Sequence, residues 1–237
     1  MMKSLALIGL TRLLFENPRV FITVRRVWKD RLSMLGPTVL AELYESAAAV
    51  QRNKAPGIFI EAGCALGGSA LVIAASRRQP RPFYIYDTFA GMPAPSERDD
   101  ADVWAKYKQI TEMQACGLHG EPYNGYQSDL LQRVERAFAA YRMPVEESQI
   151  MLVKGLFEDT LQVNEPVAFA HIDSDWHDSV MICLQRIVPH LTVGGRLVID
   201  DYFYWSGCRR AVDGYFADKR NSFTFTARQR LHIVRDR

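Results

Sequence analysis

Five short apolar runs in this chain each stop on an acid or a glycine, and that repetition most narrows what the chain can fold into. Ile58-Phe59-Ile60 runs into Glu61 and Gly63, "RPFYIYD" stops on Asp87, and "QIMLVKG" stops on Gly155. "PVAFAHID" stops on Asp173 with Asp175 close behind, and Leu197-Val198-Ile199 stops on Asp200 and Asp201. Short runs of this composition, bounded by turn-forming residues, read as buried strands. Between them lie stretches with helical spacing: "LGPTVLAELYESAAAV" over 35–50, "GGSALVIAAS", "SDLLQRVERAFAAY", "VMICLQRIVPHL" and "GCRRAVDGYFADKR". In the fourth of these, Val180, Leu184, Ile187, Val188 and Leu191 share one face. Strand and helix in alternation predict a doubly wound, mostly parallel α/β sheet. "FTFTARQRLHIVR" predicts two closing β-runs.

At 237 residues the chain fits one large domain, or a domain with a helical extension. Residues 35–237 are expected to form the domain and 1–34 an amphipathic helical extension. That extension is basic: Lys3, Arg12, Arg19, Arg25, Arg26, Lys29 and Arg31 face only Glu16 and Asp30. Arg12 interrupts its apolar start and no small-residue cleavage site follows, which argues against a secretory signal. No apolar run reaches the roughly 18 residues of a membrane span. The extension is therefore expected to cover the body, meet a second subunit or touch a membrane surface, in that order. Residues 91–127, punctuated by Pro93, Pro95, Gly117, Gly120, Pro122 and Gly125 and acidic at "SERDDAD", read as a long irregular lid or binding insertion. A net charge of +2 offers no general basic field for nucleic acid. Cys64, Cys116, Cys183 and Cys208 form no CxxC pair and read as reduced thiols of a cytoplasmic protein.

In a doubly wound sheet, ligands gather outside the C-terminal strand ends, so the acids and glycines listed above become the candidate site. The glycine turn from Glu61 to Ser69 has the spacing E-x-G-x-x-x-G-G, with Ala65 where a dinucleotide fingerprint needs glycine. A glutamate before the first glycine repels a pyrophosphate and attracts an ammonium. Asp87, one strand on, suits the two hydroxyls of a ribose. An ammonium partner beside a ribose partner fits S-adenosylmethionine better than a nicotinamide dinucleotide; the plainer alternative is a generic strand–turn–helix loop. Asp173, Asp200 and Asp201, with no Cys or His ligand set, form an oxygen-rich trio suited to a hard divalent cation such as Mg2+. Asp175 is a candidate general base, or else caps the next helix as Asp178 and Ser179 are expected to do. His171 reads as a hydrogen-bonded core residue, and His177 as a lesser candidate for substrate contact or base.

The stretches "EAGCALGGSA", "YDTFAGMP", "KGLFEDTL", "HIDSDWHDS" and "VIDDYFYWSGCRRAVDGYF" together resemble the macrocin O-methyltransferase (TylF-like) family, over about residues 32–220. The last two stretches are the specific ones. The resemblance implies a class I methyltransferase (Rossmann-like) sheet with a closing antiparallel strand. It also implies Mg2+-dependent transfer from S-adenosylmethionine to a sugar hydroxyl of a glycosylated natural product, in a homodimer or larger homo-oligomer. By the same resemblance Asp173, Asp200 and Asp201 would hold the metal and Asp175 would be the base. Glu61, Gly63, Cys64, Ser69, Asp87, Thr88, Asp173 and the Leu156-Phe157 turn would hold S-adenosylmethionine, with that turn near the adenine. The N-terminal helices and the 91–127 insertion would lie over the acceptor. The family often carries tyrosine where this chain has His177, a difference that falls on the acceptor pocket. Tyr202, Tyr204, Trp176 and Trp205 either shape that pocket or pack the core. Competing readings are a metal-dependent catechol-type O-methyltransferase, a cofactor-binding scaffold without activity, and a nicotinamide-dependent oxidoreductase, which the glycine spacing disfavours.

Overall fold

The computed structural model describes residues 10–77, 81–117 and 120–237. Strands β1 (Ile58–Ala62), β2 (Phe83–Asp87), β3 (Ile150–Lys154), β4 (Val167–Ile172) and β5 (Leu191–Ile199) run parallel. With β6 (Phe223–Ala227) and β7 (Leu231–Arg235) they make a seven-stranded sheet in the order β3-β2-β1-β4-β5-β7-β6. β7 is antiparallel to both of its neighbours. The expected parallel sheet with a closing antiparallel strand is thus present.

The helices are α1 (Pro18–Lys29), α2 (Pro37–Arg52), α3 (Gly68–Ser76), α4 (Ala101–Thr111), α5 (Leu130–Ala140), α6 (Phe157–Thr160), α7 (His177–Ile187) and α8 (Ser206–Tyr215). Both faces of the central strands are covered, which is why those strands read as continuous apolar runs. Phe59, Phe83, Phe169 and Val198 pack under α2, α3 and α5, and Ile60, Ala170, Leu197 and Ile199 pack under α7 and α8. Phe59 touches Phe83 edge-on at 6.4 Å and Phe169 at 5.4 Å. Truncating such a fully buried ring to alanine costs about 3–5 kcal/mol.

Hydrogen bonding continues one residue past the ends of β1, β3, β4 and β5. Gly63 N donates to Tyr86 O at 2.8 Å, Gly155 N to Asp87 O at 3.0 Å, Asp173 N to Ala62 O at 2.9 Å and Asp200 N to Ile172 O at 2.9 Å. The acids and glycines that end the runs are thereby laced into one rim, with the reversal of strand order between β1 and β4 at its centre. Gly63 sits at φ +88°, and a Cβ there would overlap the Asp173 carbonyl oxygen. Only glycine allows β1 and β4 to approach this closely.

Residues 1–9 of the expected N-terminal extension lie outside the described residues. α1 starts at Pro18, with Asn17 Oδ1 accepting from Val20 N at 3.4 Å, and buries Val20, Val24 and Val27 in the same cluster as α2 and α3. Gly68 N, at the start of α3, donates to Leu32 O at 2.9 Å. Among the described residues no helix is long and apolar enough to cross a membrane.

Two local readings are corrected. The insertion is not irregular throughout, because Ala101–Thr111 forms α4, which buries Val103 and Ile110. Gly91, Pro93 and Pro95 precede the helix and Gly117, Gly120, Pro122 and Gly125 follow it, so none interrupts it. Asp178 and Ser179 do not cap α7: they lie inside its first turn, and the capping carboxylate comes from Asp99 in the insertion, whose Oδ1 accepts from His177 N at 2.8 Å.

Candidate active site

The glycine turn is built around Asp87. Its Oδ2 accepts from Cys64 N at 2.8 Å and Ala65 N at 3.0 Å, and its Oδ1 accepts from Phe89 N at 2.7 Å. These bonds hold Ala65 at φ 47° and Gly67 at φ 83°, left-handed positions that bend the chain sharply into α3. A carboxylate offers about four lone-pair sites, so Asp87 keeps capacity for a ligand while it shapes the turn. Thr88 Oγ1 lies 3.4 Å from Asp87 Oδ1 and donates to Gly91 O at 3.3 Å.

Beneath the turn, a chain of charges crosses the sheet. Glu61 and His171 are register partners on β1 and β4, both fully buried, with Glu61 Oε1 2.8 Å from His171 Nδ1. His171 Nε2 lies 3.6 Å from Asp200 Oδ1, too long for a hydrogen bond and within ion-pair range. Asp200 Oδ1 accepts from Arg230 Nε at 2.6 Å. Burial lowers the His171 pKa, but the carboxylates of Asp200 and Glu61 outweigh it and push it up to about 9. Burial raises Glu61, with hydrogen bonds from His171 and Ser69 partly offsetting it. For Asp200 burial is overcome by His171 and Arg230, and its carboxyl lies below the usual range.

The other acids are in the opposite state. Burial and the neighbouring charge of Asp200 and Asp175 push Asp173 well up, and burial with Asp175, Asp173 and Asp200 does the same to Asp201. Asp175 is pushed up to about 6, chiefly by burial, with the Trp205 indole opposing. Asp175 N donates to Asp201 Oδ2 at 3.2 Å, and Trp205 Nε1 donates to Asp175 Oδ1 at 2.7 Å. Both nearby cations, Arg230 and His171, meet Asp200, so the negative charge of Asp173, Asp175 and Asp201 has no ion-paired cation among the described residues. An all-oxygen donor set with excess negative charge fits a hard divalent ion. Donor atoms of His171, Asp173 and Asp200 lie within 4.8 Å of one another, while Asp201 is not part of that group. His171 Nδ1 is already engaged by Glu61 Oε1 at 2.8 Å.

These groups open into a cleft of about 480 Å³, a size suited to a small organic ligand. Of the residues expected from the sequence, Gly63, Asp87, Thr88, Leu156, Phe157, Asp173, Asp175, Asp200 and Asp201 line it. Glu61, Cys64 and Ser69 are buried behind the cleft wall. His177 is also buried, its Nδ1 2.7 Å from Asp178 Oδ1. The Leu156-Phe157 turn is clamped from α7: Arg186 donates to Phe157 O at 2.8 Å, Leu161 O at 2.9 Å and Glu158 O at 2.8 Å. Met34 and Leu35 enter from the N-terminal side, and Lys106 and Tyr123 from the insertion. Arg31 ties those two segments together through Glu121 at 2.6 Å. Sequence reasoning missed Asp99, Lys106, Arg186 and Arg230, which reach the site from distant segments.

Residues 25–224 match the family described as Macrocin-O-methyltransferase (TylF). The chain is 27% identical over 191 residues to demethyldecarbamoylnovobiocin O-methyltransferase of Streptomyces niveus, covering 78% of this chain and 68% of that one. It is 29% identical over 189 residues to 8-demethyl-8-(2,3-dimethoxy-alpha-L-rhamnosyl)-tetracenomycin-C 4'-O-methyltransferase of Streptomyces olivaceus, covering 77% of this chain and 67% of that one. In fold it is similar to the solved O-methyltransferase NovP, with a TM-score of 0.72 and 24% identity over 87% of this chain and 83% of that one.

Proposed function

The chain belongs to the macrocin O-methyltransferase (TylF) family, and from that membership we propose that it methylates a sugar hydroxyl on a glycosylated natural product, with a divalent cation held by Asp173, Asp200 and Asp201. It is an S-adenosylmethionine-dependent O-methyltransferase. The sugar acceptor is supported by the relatives, one of which is named for a rhamnosyl-bearing substrate. We place the reaction in the cytoplasm, on a small molecule and without a nucleic-acid partner, in a homodimer or larger assembly that light scattering would detect.

One observation carries the chemical reading: Asp173, Asp175, Asp200 and Asp201 converge at the ends of adjacent strands, beside the glycine turn that Asp87 organises. A cofactor in the cleft would lie against Gly63, Asp87, Thr88 and the Leu156-Phe157 turn. Glu61, buried below, would act on it through the shape of the turn. When bound, the cation would supply positive charge that makes the acceptor hydroxyl more acidic. Asp175 would take that hydroxyl proton as the oxygen–methyl bond forms and the sulfonium carbon–sulfur bond breaks. Its carboxylate suits the task because Trp205 fixes one oxygen and its pKa, at about 6, is close to neutral pH. The N-terminal segment and the 91–127 insertion would cover the acceptor, positioning it and excluding water.

Two measurements test this. Calorimetric titration with S-adenosylhomocysteine, then with magnesium chloride, should show saturable binding of both, and EDTA should remove the second. Methylation of a glycoside panel and a phenolic panel should then favour the glycosides. Turnover confined to catechols would replace the sugar reading with the phenolic one.

A further inference from the structure

Resting on the cation site proposed above, we infer that Arg230 is the positioning residue that aims Asp200 into that site, and that it acts through its planar guanidinium fork and not through its charge alone.

Arg230 sits at the tip of the β6–β7 hairpin, far in sequence from every acid of the cleft, and is buried there. Its Nε donates to Asp200 Oδ1 at 2.6 Å, and its Nη1 donates to Tyr204 OH at 3.1 Å and Gln229 O at 3.1 Å. The guanidinium also lies over the Tyr204 ring, 4.7 Å from its centroid. His171 approaches the same Asp200 oxygen, with Nε2 at 3.6 Å. Two cationic groups therefore gather on Oδ1, while Oδ2 makes no hydrogen bond among the described residues and is left to the cleft that Asp200 lines. A carboxylate fixed at one oxygen with the other free is oriented for a ligand the protein does not itself supply.

The hairpin tip is itself anchored. Gln229 N and Nε2 lie 3.3 and 3.4 Å from the two oxygens of Glu42 on α2, and Thr38 Oγ1 donates to Gln229 Oε1 at 3.2 Å. Arg228 N closes the turn on Arg230 O at 2.9 Å. Arg230 is thus built into place from α2, and is not a surface side chain that has found an acid. A lysine could supply the same charge, but it has no planar set of donors to hold Asp200, Tyr204 and the Gln229 carbonyl together.

The test compares Arg230→Lys, Arg230→Met and Tyr204→Phe with the natural chain. Each is loaded with S-adenosylhomocysteine and titrated calorimetrically with magnesium chloride; S-adenosylhomocysteine affinity in EDTA is measured separately, and circular dichroism checks the fold. Both Arg230 variants should bind magnesium about 10–100-fold more weakly, the usual cost of losing a partner that orients a metal ligand. Tyr204→Phe, at an exposed position that folding tolerates, should weaken it by a smaller factor. S-adenosylhomocysteine affinity should stay within twofold throughout. Magnesium affinity unchanged in Arg230→Lys, or tightened in Arg230→Met, would overturn the inference, since charge alone would then explain Arg230. A natural chain that binds S-adenosylhomocysteine but no magnesium would remove the cation reading itself. Should Arg230→Met not fold, the lysine and phenylalanine variants decide.

Discussion

Trp205 Nε1 donates to Asp175 Oδ1 at 2.7 Å, and this bond links the carboxylate proposed as the base to the insertion. Trp205 packs edge-on against Trp176, with ring centroids 5.8 Å apart, and Trp176 Nε1 donates to Pro93 O at 3.1 Å. Asp175 itself is held at φ 56°, a left-handed conformation that costs energy in a residue with a Cβ and persists because these contacts impose it.

Trp205→Phe keeps most of the ring packing and removes the donor. A hydrogen bond to a charged group contributes about 1.5–3 kcal/mol, so kcat should fall by roughly 10–100-fold. The indole opposes the rise in the Asp175 pKa, so the acid limb of kcat/KM should also move to higher pH. Asp175→Asn should abolish turnover. In both variants S-adenosylhomocysteine affinity should remain within about twofold of the natural chain on calorimetry, a bound on a change remote from Asp87 and the glycine turn. Natural kcat in Asp175→Asn would remove Asp175 from the proton transfer, and natural kcat in Trp205→Phe would show that the indole bond is not needed for it.

The strand ends were legible in the sequence because local features write them: an apolar run of strand length, then an acid or glycine. Asp87, Asp173, Asp175, Asp200 and Asp201 follow from that pattern alone. What the pattern does not carry is direction across the sheet. Glu61 ends its run as the others do, but in register it faces His171 and points into the α2–α3 side, so it supports the site from below. Asp99 and Arg230 were illegible for a different reason. Their partners, His177 and Asp200, lie 78 and 30 residues away, and no local periodicity reports a contact made by tertiary packing. α4 was missed because the prolines and glycines around it outweighed the buried spacing of Val103 and Ile110.

Gly63→Ala should damage both the fold and the site. The new Cβ would overlap the Asp173 carbonyl oxygen, and φ +88° is unfavourable for any residue bearing one. Overpacking costs about 1–3 kcal/mol and the left-handed backbone about 1–2 more. Relief requires the ends of β1 and β4 to part, so S-adenosylhomocysteine binding should be lost along with several degrees of melting temperature. A variant that melts and binds as the natural chain does would show that β1 and β4 do not need this close approach.

His232 makes stability depend on pH. It is buried on β7, and burial, aided by the positive charges of Arg228, Arg196 and His171, pushes its pKa down to about 3. Its contacts with Glu42 at 3.9 Å and Ser46 Oγ at 3.4 Å do not reverse this. An unfolded histidine titrates near 6.5. Below that pH the unfolded chain takes up a proton that the folded chain refuses, so this group removes stability as pH falls from about 6.5 towards 3. The slope approaches about 1.4 kcal/mol per pH unit. His232→Leu should flatten it, which urea unfolding at pH 7, 6 and 5 would measure; parallel pH dependences in the two proteins would refute the assignment.

Asp99 separates the anchoring of the insertion from the chemistry beneath it. Its Oδ1 caps α7 at His177 N, its Oδ2 accepts from Ser96 N at 3.1 Å, and a Cβ at Gly207 would overlap it, so α8 leaves room for this one carboxylate. Asp99→Ala should cost about 1–2 kcal/mol for the lost cap. It should also loosen the segment that carries Lys106 and Tyr123 to the cleft. The acceptor KM should therefore rise while S-adenosylhomocysteine affinity, which we propose depends on Asp87 and the glycine turn, stays the same. Asparagine caps helices as well as aspartate does, so Asp99→Asn should recover most of the stability and the KM. If Asp99→Ala raised S-adenosylhomocysteine Kd and acceptor KM together, the insertion would be organising the whole cleft and not its acceptor side alone.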